Sequence, residues 1–150
     1  VESGQKRISS SVGHSLMKDH PFAIKRFDQA RDNLKLLQRA INEGDWKSFI
    51  AVVEEEALSL HAMMLTSKPG FILMQPGTLS IMHKIREYRE QTGQRLCFTL
   101  DAGANVHLLH AEADEGPVED FVKSELIPFC ENGRFISDKM GPGPVKAEGT

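Results

Sequence analysis

Between Phe22 and Glu43 the apolar residues Ala23, Phe27, Ala30, Leu34, Leu37 and Ile41 recur at alternating spacings of four and three, which predicts one face of a long helix. Gly44 suits its C-terminal stop, and Asp45 suits the N-cap of a second helix. That second helix carries Trp46, Ile50, Val53, Ala57, Leu60 and Met64 at the same spacing. The two are expected to pack as an antiparallel pair, with Phe27, Leu34, Leu37, Ile50, Val53 and Leu60 in their shared core. Residues 66–77, "TSKPGFILMQPG", read as a connecting loop with an extended apolar centre. A third helix is predicted from Thr78 to Thr92, with Ile81, Ile85 and Tyr88 inward and Arg86, Glu87, Arg89 and Glu90 mostly solvated.

The pattern then changes. Arg95–Leu100 and Asn105–Ala111 are short apolar runs separated by an Asp, Gly and Asn turn, which predicts a hairpin. A helix follows from Val118 to about Asn132, kinked or cut short by Pro128, and "RFIS" at 134–137 is expected to be a last strand. At the other end, residues 1–9 read as the end of a first strand and Ser11–Lys18 as a short helix broken at Asp19-His20-Pro21. The order strand, helices, strand, strand, helix, strand predicts an α+β fold. It is the ferredoxin-like split βαβ arrangement: an antiparallel sheet with helices on one face and an inserted helical pair. With so little chain before Gly4, the first strand reads as truncated, so the chain is expected to begin inside a domain. One domain over 1–137 and a tail over 138–150, too poor in apolar residues to pack alone, complete the expected organisation.

The 150 residues are enough to bury a core, and the net charge of −3 supplies no overall attraction to nucleic acid or anionic membrane. No apolar run is long enough to span a bilayer. Cys97 and Cys130 lie far apart with no metal-binding spacing, and two free thiols in a reducing compartment are the expected reading. His107 and His110 fall on opposite faces of a strand, which excludes them as a ligand pair. His20 and His83 read as loop and surface residues, whereas His61 borders the inward stripe of the second helix, either as a satisfied core histidine or as a ligand contact.

Two stretches carry candidate chemistry. The serines of "ISSSVGH" at 8–14 stand between a strand end and a helix start, where they cap backbone N–H groups or bind an anion through the same groups. "FTLDAGANVHLL" at 98–109 places Asp101 at the mouth of the hairpin, either as a turn former or as a carboxylate facing a substrate.

Together these segments resemble the diphosphomevalonate decarboxylase family of the GHMP kinase superfamily. The pieces that match, in the family's order, are "ISSSVGH" with Met17 beyond it, "RFDQAR", "GDWKSF", "EALSLHAMMLTSKP" and "CFTLDAGANVHLL". The resemblance runs from about Ser3 to about Ser137 and covers only the C-terminal half of such enzymes. It implies an ATP-dependent reaction in which the tertiary 3-hydroxyl of diphosphomevalonate takes the γ-phosphoryl group, and phosphate and CO₂ then leave to give isopentenyl diphosphate. Asp101 aligns with the family's catalytic aspartate, in a loop whose closure Gly103 permits. Ser9 and Ser10 align with its paired serines, of which one, with Ser9 preferred, contacts substrate; His61 and Ser67 align with recurring positions at the domain interface, either as substrate contacts or in a structural role, and Gly103 is a further candidate substrate contact. ATP and Mg are expected to be held mainly by the absent N-terminal half, where the Gly/Ser-rich phosphate loop and a carboxylate-binding arginine belong. The partners implied are a small phosphorylated substrate, that N-terminal domain and a second copy in a homodimer, in the cytoplasm, with no nucleic acid or membrane. Superfamily kinases usually carry a Gly-rich loop where this chain has "DAGAN", which favours the decarboxylase branch. A kinase acting without decarboxylation and a non-catalytic dimerisation module are the alternatives.

Overall fold

The structure, a computed structural model, describes Val1, Met17, residues 19–141 and Gly143. Three helices come first: α1 (Ala23–Glu43), α2 (Trp46–Thr66) and α3 (Pro76–Thr92). The strands β1 (Leu96–Leu100) and β2 (Val106–His110) follow, and then a short helix α4 (Glu115–Phe121). The turn between α1 and α2 is the predicted one. Gly44 sits at φ 67° in the left-handed region that favours glycine, and the Asp45 carboxylate accepts the Ser48 N–H at 3.1 Å. Pro76 opens α3, where its missing N–H costs nothing.

β1 and β2 form an antiparallel pair in the register Leu96↔His110 through Leu100↔Val106. The main core lies between this hairpin and the helices. Ile81, Met82 and Ile85 of α3, Leu96, Phe98 and Leu100 of β1, and Val118, Phe121 and Leu126 close around Ala57 of α2. Tyr88 stacks on Phe121 with ring centroids 4.1 Å apart. The α+β class therefore holds, and the described residues contain two strands of the sheet. The expected first strand and the helix over 11–18 lie almost wholly outside the described residues. The strand expected at 134–137 does not form: these residues pair in no ladder, and Ile136 is 94% exposed. They follow Asn132 and Gly133, both at positive φ, which turn the chain out of regular structure.

The expected helix over 118–132 is broken as Pro128 demands, but the disturbance begins earlier. After α4 the chain widens into a π-helical turn over Val122–Leu126 and tightens into a single 3₁₀ turn, Ile127–Phe129. Proline cannot donate to the preceding turn, so the ladder is re-registered before it arrives.

The α1–α2 contact departs most from expectation. Phe27 is 48% exposed, Leu34 56% and Ile41 61%, while Leu37, Ile50, Val53 and Leu60 are half-buried. The buried residues of α1 are Ala23, Asn33 and Ala40. Arg26 reaches Glu56 with both terminal guanidinium nitrogens, at 3.1 and 2.5 Å. Asn33 donates to Glu55 and Glu56, and Gln29 donates to Glu55. At 100° per residue, the side of α1 facing α2 is turned by roughly 50° from the apolar stripe. The cause is that three polar residues of α1 find carboxylate partners on α2, and a bidentate Arg–carboxylate pair constrains geometry more tightly than apolar contact does.

A second buried charge cluster ties α2 to α3. Glu54 is buried and accepts from Arg86 at 3.0 Å and Arg89 at 2.6 Å, while Arg89 also donates to the Leu96 carbonyl. Glu87 and Glu90 are exposed as expected and the Arg86 side chain stays 42% exposed, but Arg86 and the more covered Arg89 also pair with Glu54, and the Arg86 guanidinium lies 5.2 Å from the centre of the Phe98 ring. Cys97 and Cys130 are both free thiols. Burial, with the nearby Glu54 carboxylate, pushes the Cys97 thiol up to about 12 against the opposing pull of Arg89, so it is unreactive near neutral pH.

Candidate active site

Five residues, Asp101–Asn105, join β1 to β2. Leu100 and Val106 are paired across the ladder, so both feet of the loop are fixed by the sheet. Asp101 is exposed at the first position, Ala104 is buried and Asn105 is exposed again. Ala102 packs against a small apolar cluster of Met17, Ala23, Met63 and Met64, which supports the loop from the α2 side.

His61 resolves one of the alternatives left by the sequence. It is only 2% exposed, and its Nε2 lies 3.0 Å from the Asp101 carbonyl oxygen. A carbonyl only accepts, so Nε2 carries the proton and donates. His61 thus holds the backbone of Asp101, and its burial places it behind the loop. His20, read from sequence as a plain loop residue, is likewise buried. Its Nδ1 accepts the Phe22 N–H at 3.2 Å, which leaves Nε2 to donate to Thr66 Oγ1 at 2.9 Å, so the approach to α1 is tied to the end of α2.

Ser67 caps α2. Its hydroxyl is buried 2.9 Å from the Met64 carbonyl and 2.8 Å from that of Pro69, and its single proton serves one at a time. Gly103 owes its place to space. A Cβ there would stand 2.9 Å from Asp101 Oδ1, so any side chain at 103 would displace the carboxylate. The glycine therefore keeps room for the acid by the absence of a Cβ. Ser9 and Ser10 lie outside the described residues.

Thr78 is the residue that sequence reasoning passed over. It is fully buried in the first turn of α3, accepts the Gln75 N–H at 3.1 Å and donates to the Ala104 carbonyl at 2.6 Å. A threonine two residues after Pro76 was a legible helix-start signal, but nothing local marks a bond to a residue 26 positions later. The loop is accordingly held at both ends, at Asp101 by His61 and at Ala104 by Thr78, with one exposed carboxylate between.

Comparison with known proteins gives the family. Residues 1–145 match the family model described as the mevalonate 5-diphosphate decarboxylase C-terminal domain. The chain belongs to this family. Phosphomevalonate decarboxylase of Haloferax volcanii is 28% identical over 121 residues, 81% of this chain and 35% of that protein. The crystal structure of a mevalonate diphosphate decarboxylase from Legionella pneumophila superposes with a TM-score of 0.78 at 33% identity, over 84% of this chain and 40% of that one. The structure of MDDEF in complex with MVAPP, AMPPCP and magnesium matches with a TM-score of 0.76 at 27% identity, over 82% of this chain and 38% of that one. This member of the decarboxylase family thus spans about a third of the curated relative and two fifths of the solved ones.

Among the described residues no group of three or more His, Cys, Asp or Glu side chains converges as a metal site would require. No helix among them is long and apolar enough to cross a membrane.

Proposed function

We propose that this chain supplies the C-terminal half of an ATP-dependent mevalonate-type decarboxylase, with the Asp101 carboxylate as its general base. The observation that carries the reading is the loop itself: an exposed carboxylate on backbone bound at both ends, in a member of this family. As the substrate 3-hydroxyl oxygen attacks the γ-phosphorus of ATP, its proton passes to the Asp101 carboxylate and the bond to the β-phosphate oxygen breaks, releasing ADP. The phosphorylated tertiary centre then loses inorganic phosphate, and the electrons of the breaking carboxylate C–C bond form the alkene as CO₂ departs. The reading assigns nucleotide and magnesium mainly to the N-terminal part of the enzyme, outside this chain. It likewise assigns a substrate contact to Ser9 or Ser10, while His61, Ser67 and Gly103 shape the loop and its neighbourhood.

The test is steady-state kinetics on the full-length enzyme carrying Asp101→Asn. The amide keeps size and turn preference but takes no proton, so kcat is expected to fall by about 10²–10⁴-fold, while stability changes by less than about 1 kcal/mol. Substrate and ATP affinity are expected to change far less than turnover. Near-normal turnover in the folded variant overturns the assignment. Product analysis with mono- and diphosphorylated mevalonate separates the decarboxylase from a kinase that stops at phosphorylation, and shows which phosphorylation state the enzyme takes.

A further inference from the structure

We infer that Thr78 is a positioning residue for the Asp101 carboxylate, acting from the opposite end of the loop through the Ala104 carbonyl. The inference rests on the catalytic reading of Asp101 given above.

Thr78 Oγ1 uses both of its hydrogen-bonding capacities in one chain. The Gln75 N–H donates to it at 3.1 Å, and its own proton goes to Ala104 at 2.6 Å. The first bond belongs to the start of α3 and is explained by helix capping. The second is a tertiary bond that capping does not require. The side chain is 0% exposed, so no water can take over its role. Behind Thr78, α3 is anchored in the main core by Ile81, Met82 and Ile85. The hydroxyl therefore joins a helix anchored in the main core to the loop that carries Asp101.

The route from Ala104 to the carboxylate is one residue long. The backbone of Gly103 comes so near Asp101 that a Cβ on it would stand 2.9 Å from Oδ1. Movement of the Ala104 carbonyl shifts the neighbouring Gly103 backbone, which borders the space the carboxylate occupies. His61 holds the Asp101 carbonyl, the ladder fixes Leu100 and Val106, and Ala102 packs against the methionine cluster; Thr78 adds the hold on Ala104. Each hold counts, because an ångström of misplacement costs a proton-transfer geometry dearly.

The experiment is a double-mutant cycle on the full-length enzyme. Thr78→Val keeps the shape and removes both bonds. It is expected to lower kcat about tenfold or more with KM for both substrates within about threefold, and Thr78→Ser is expected to restore kcat to within about twofold of wild type. In the Asp101→Asn background the same Thr78→Val change is expected to alter kcat by less than about twofold, because there is no longer a base to misplace. Equal fractional losses in both backgrounds, or an unchanged kcat beside a lowered Tm, overturn the proposal and leave Thr78 a purely structural residue. Near-normal turnover in Asp101→Asn alone overturns the catalytic reading and the proposal with it, so the two failures are distinguishable. If the Val variant does not fold, Thr78→Cys, whose thiol is a much weaker donor, runs the same cycle.

Discussion

The hairpin with α3 and α4 and the pair α1–α2 are built on opposite terms. In the first, Ile85, Leu96, Phe98 and Val118 are at most 1% exposed, and apolar burial dominates. In the second, the residues of α1 that reach α2 are alanines, Arg26, Gln29 and Asn33, and the large side chains Phe27, Leu34 and Ile41 face outward. The active-site loop draws its supports from both regions, Thr78 from the packed one and His61 from α2, which lies between them. Apolar packing gives the loop a rigid base. The polar seam sets the rotation of α1 about its axis, because paired charges tolerate fewer orientations than apolar surfaces do.

The sharpest way to test this contrast is to damage each region and compare. Phe98→Ala is expected to cost about 3–5 kcal/mol in chemical denaturation, since it empties the centre of the main core and removes the ring beneath Arg86. A loss below about 1 kcal/mol would mean the core is not where burial places it. Arg26→Met is expected to cost about 1–2 kcal/mol, because it leaves a part-covered Glu56 without its bidentate partner. Reversal of that loss in the double variant Arg26→Met with Glu56→Leu would show that the seam confers orientation more than stability. Leu34→Ser, on the outward face, is expected to change stability by about 0.5 kcal/mol or less, the smallest effect of the three. A loss comparable to that of Phe98→Ala would show that this face is covered in the intact protein.

The same contrast separates what was legible in the sequence from what was not. Helix ends were read correctly where a local rule governs them, as at Gly44 and Asp45, and the hairpin followed from its alternation and its turn residues. Asp101 was singled out as a candidate because the motif that carries the family resemblance around it is contiguous. The inward side of α1 was misread because a stripe at spacings of four and three says that a helix forms, not what it meets; only the carboxylates of Glu55 and Glu56, supplied by another helix, decide which side turns in. Arg86 and Arg89 were placed in solvent for the same reason, since their partner Glu54 lies more than thirty residues away. Thr78 belongs with them. Its capping bond is encoded within four residues, but its bond to Ala104 exists only because α3 packs behind the hairpin. By itself, then, the sequence determined the long helices, the hairpin and the candidate acid, which depend on neighbouring residues. The tertiary structure decided the rotation of α1, the partners of Glu54 and Glu56 and the second hold on the Asp101–Asn105 loop, because each is a hydrogen bond between groups that only packing brings together.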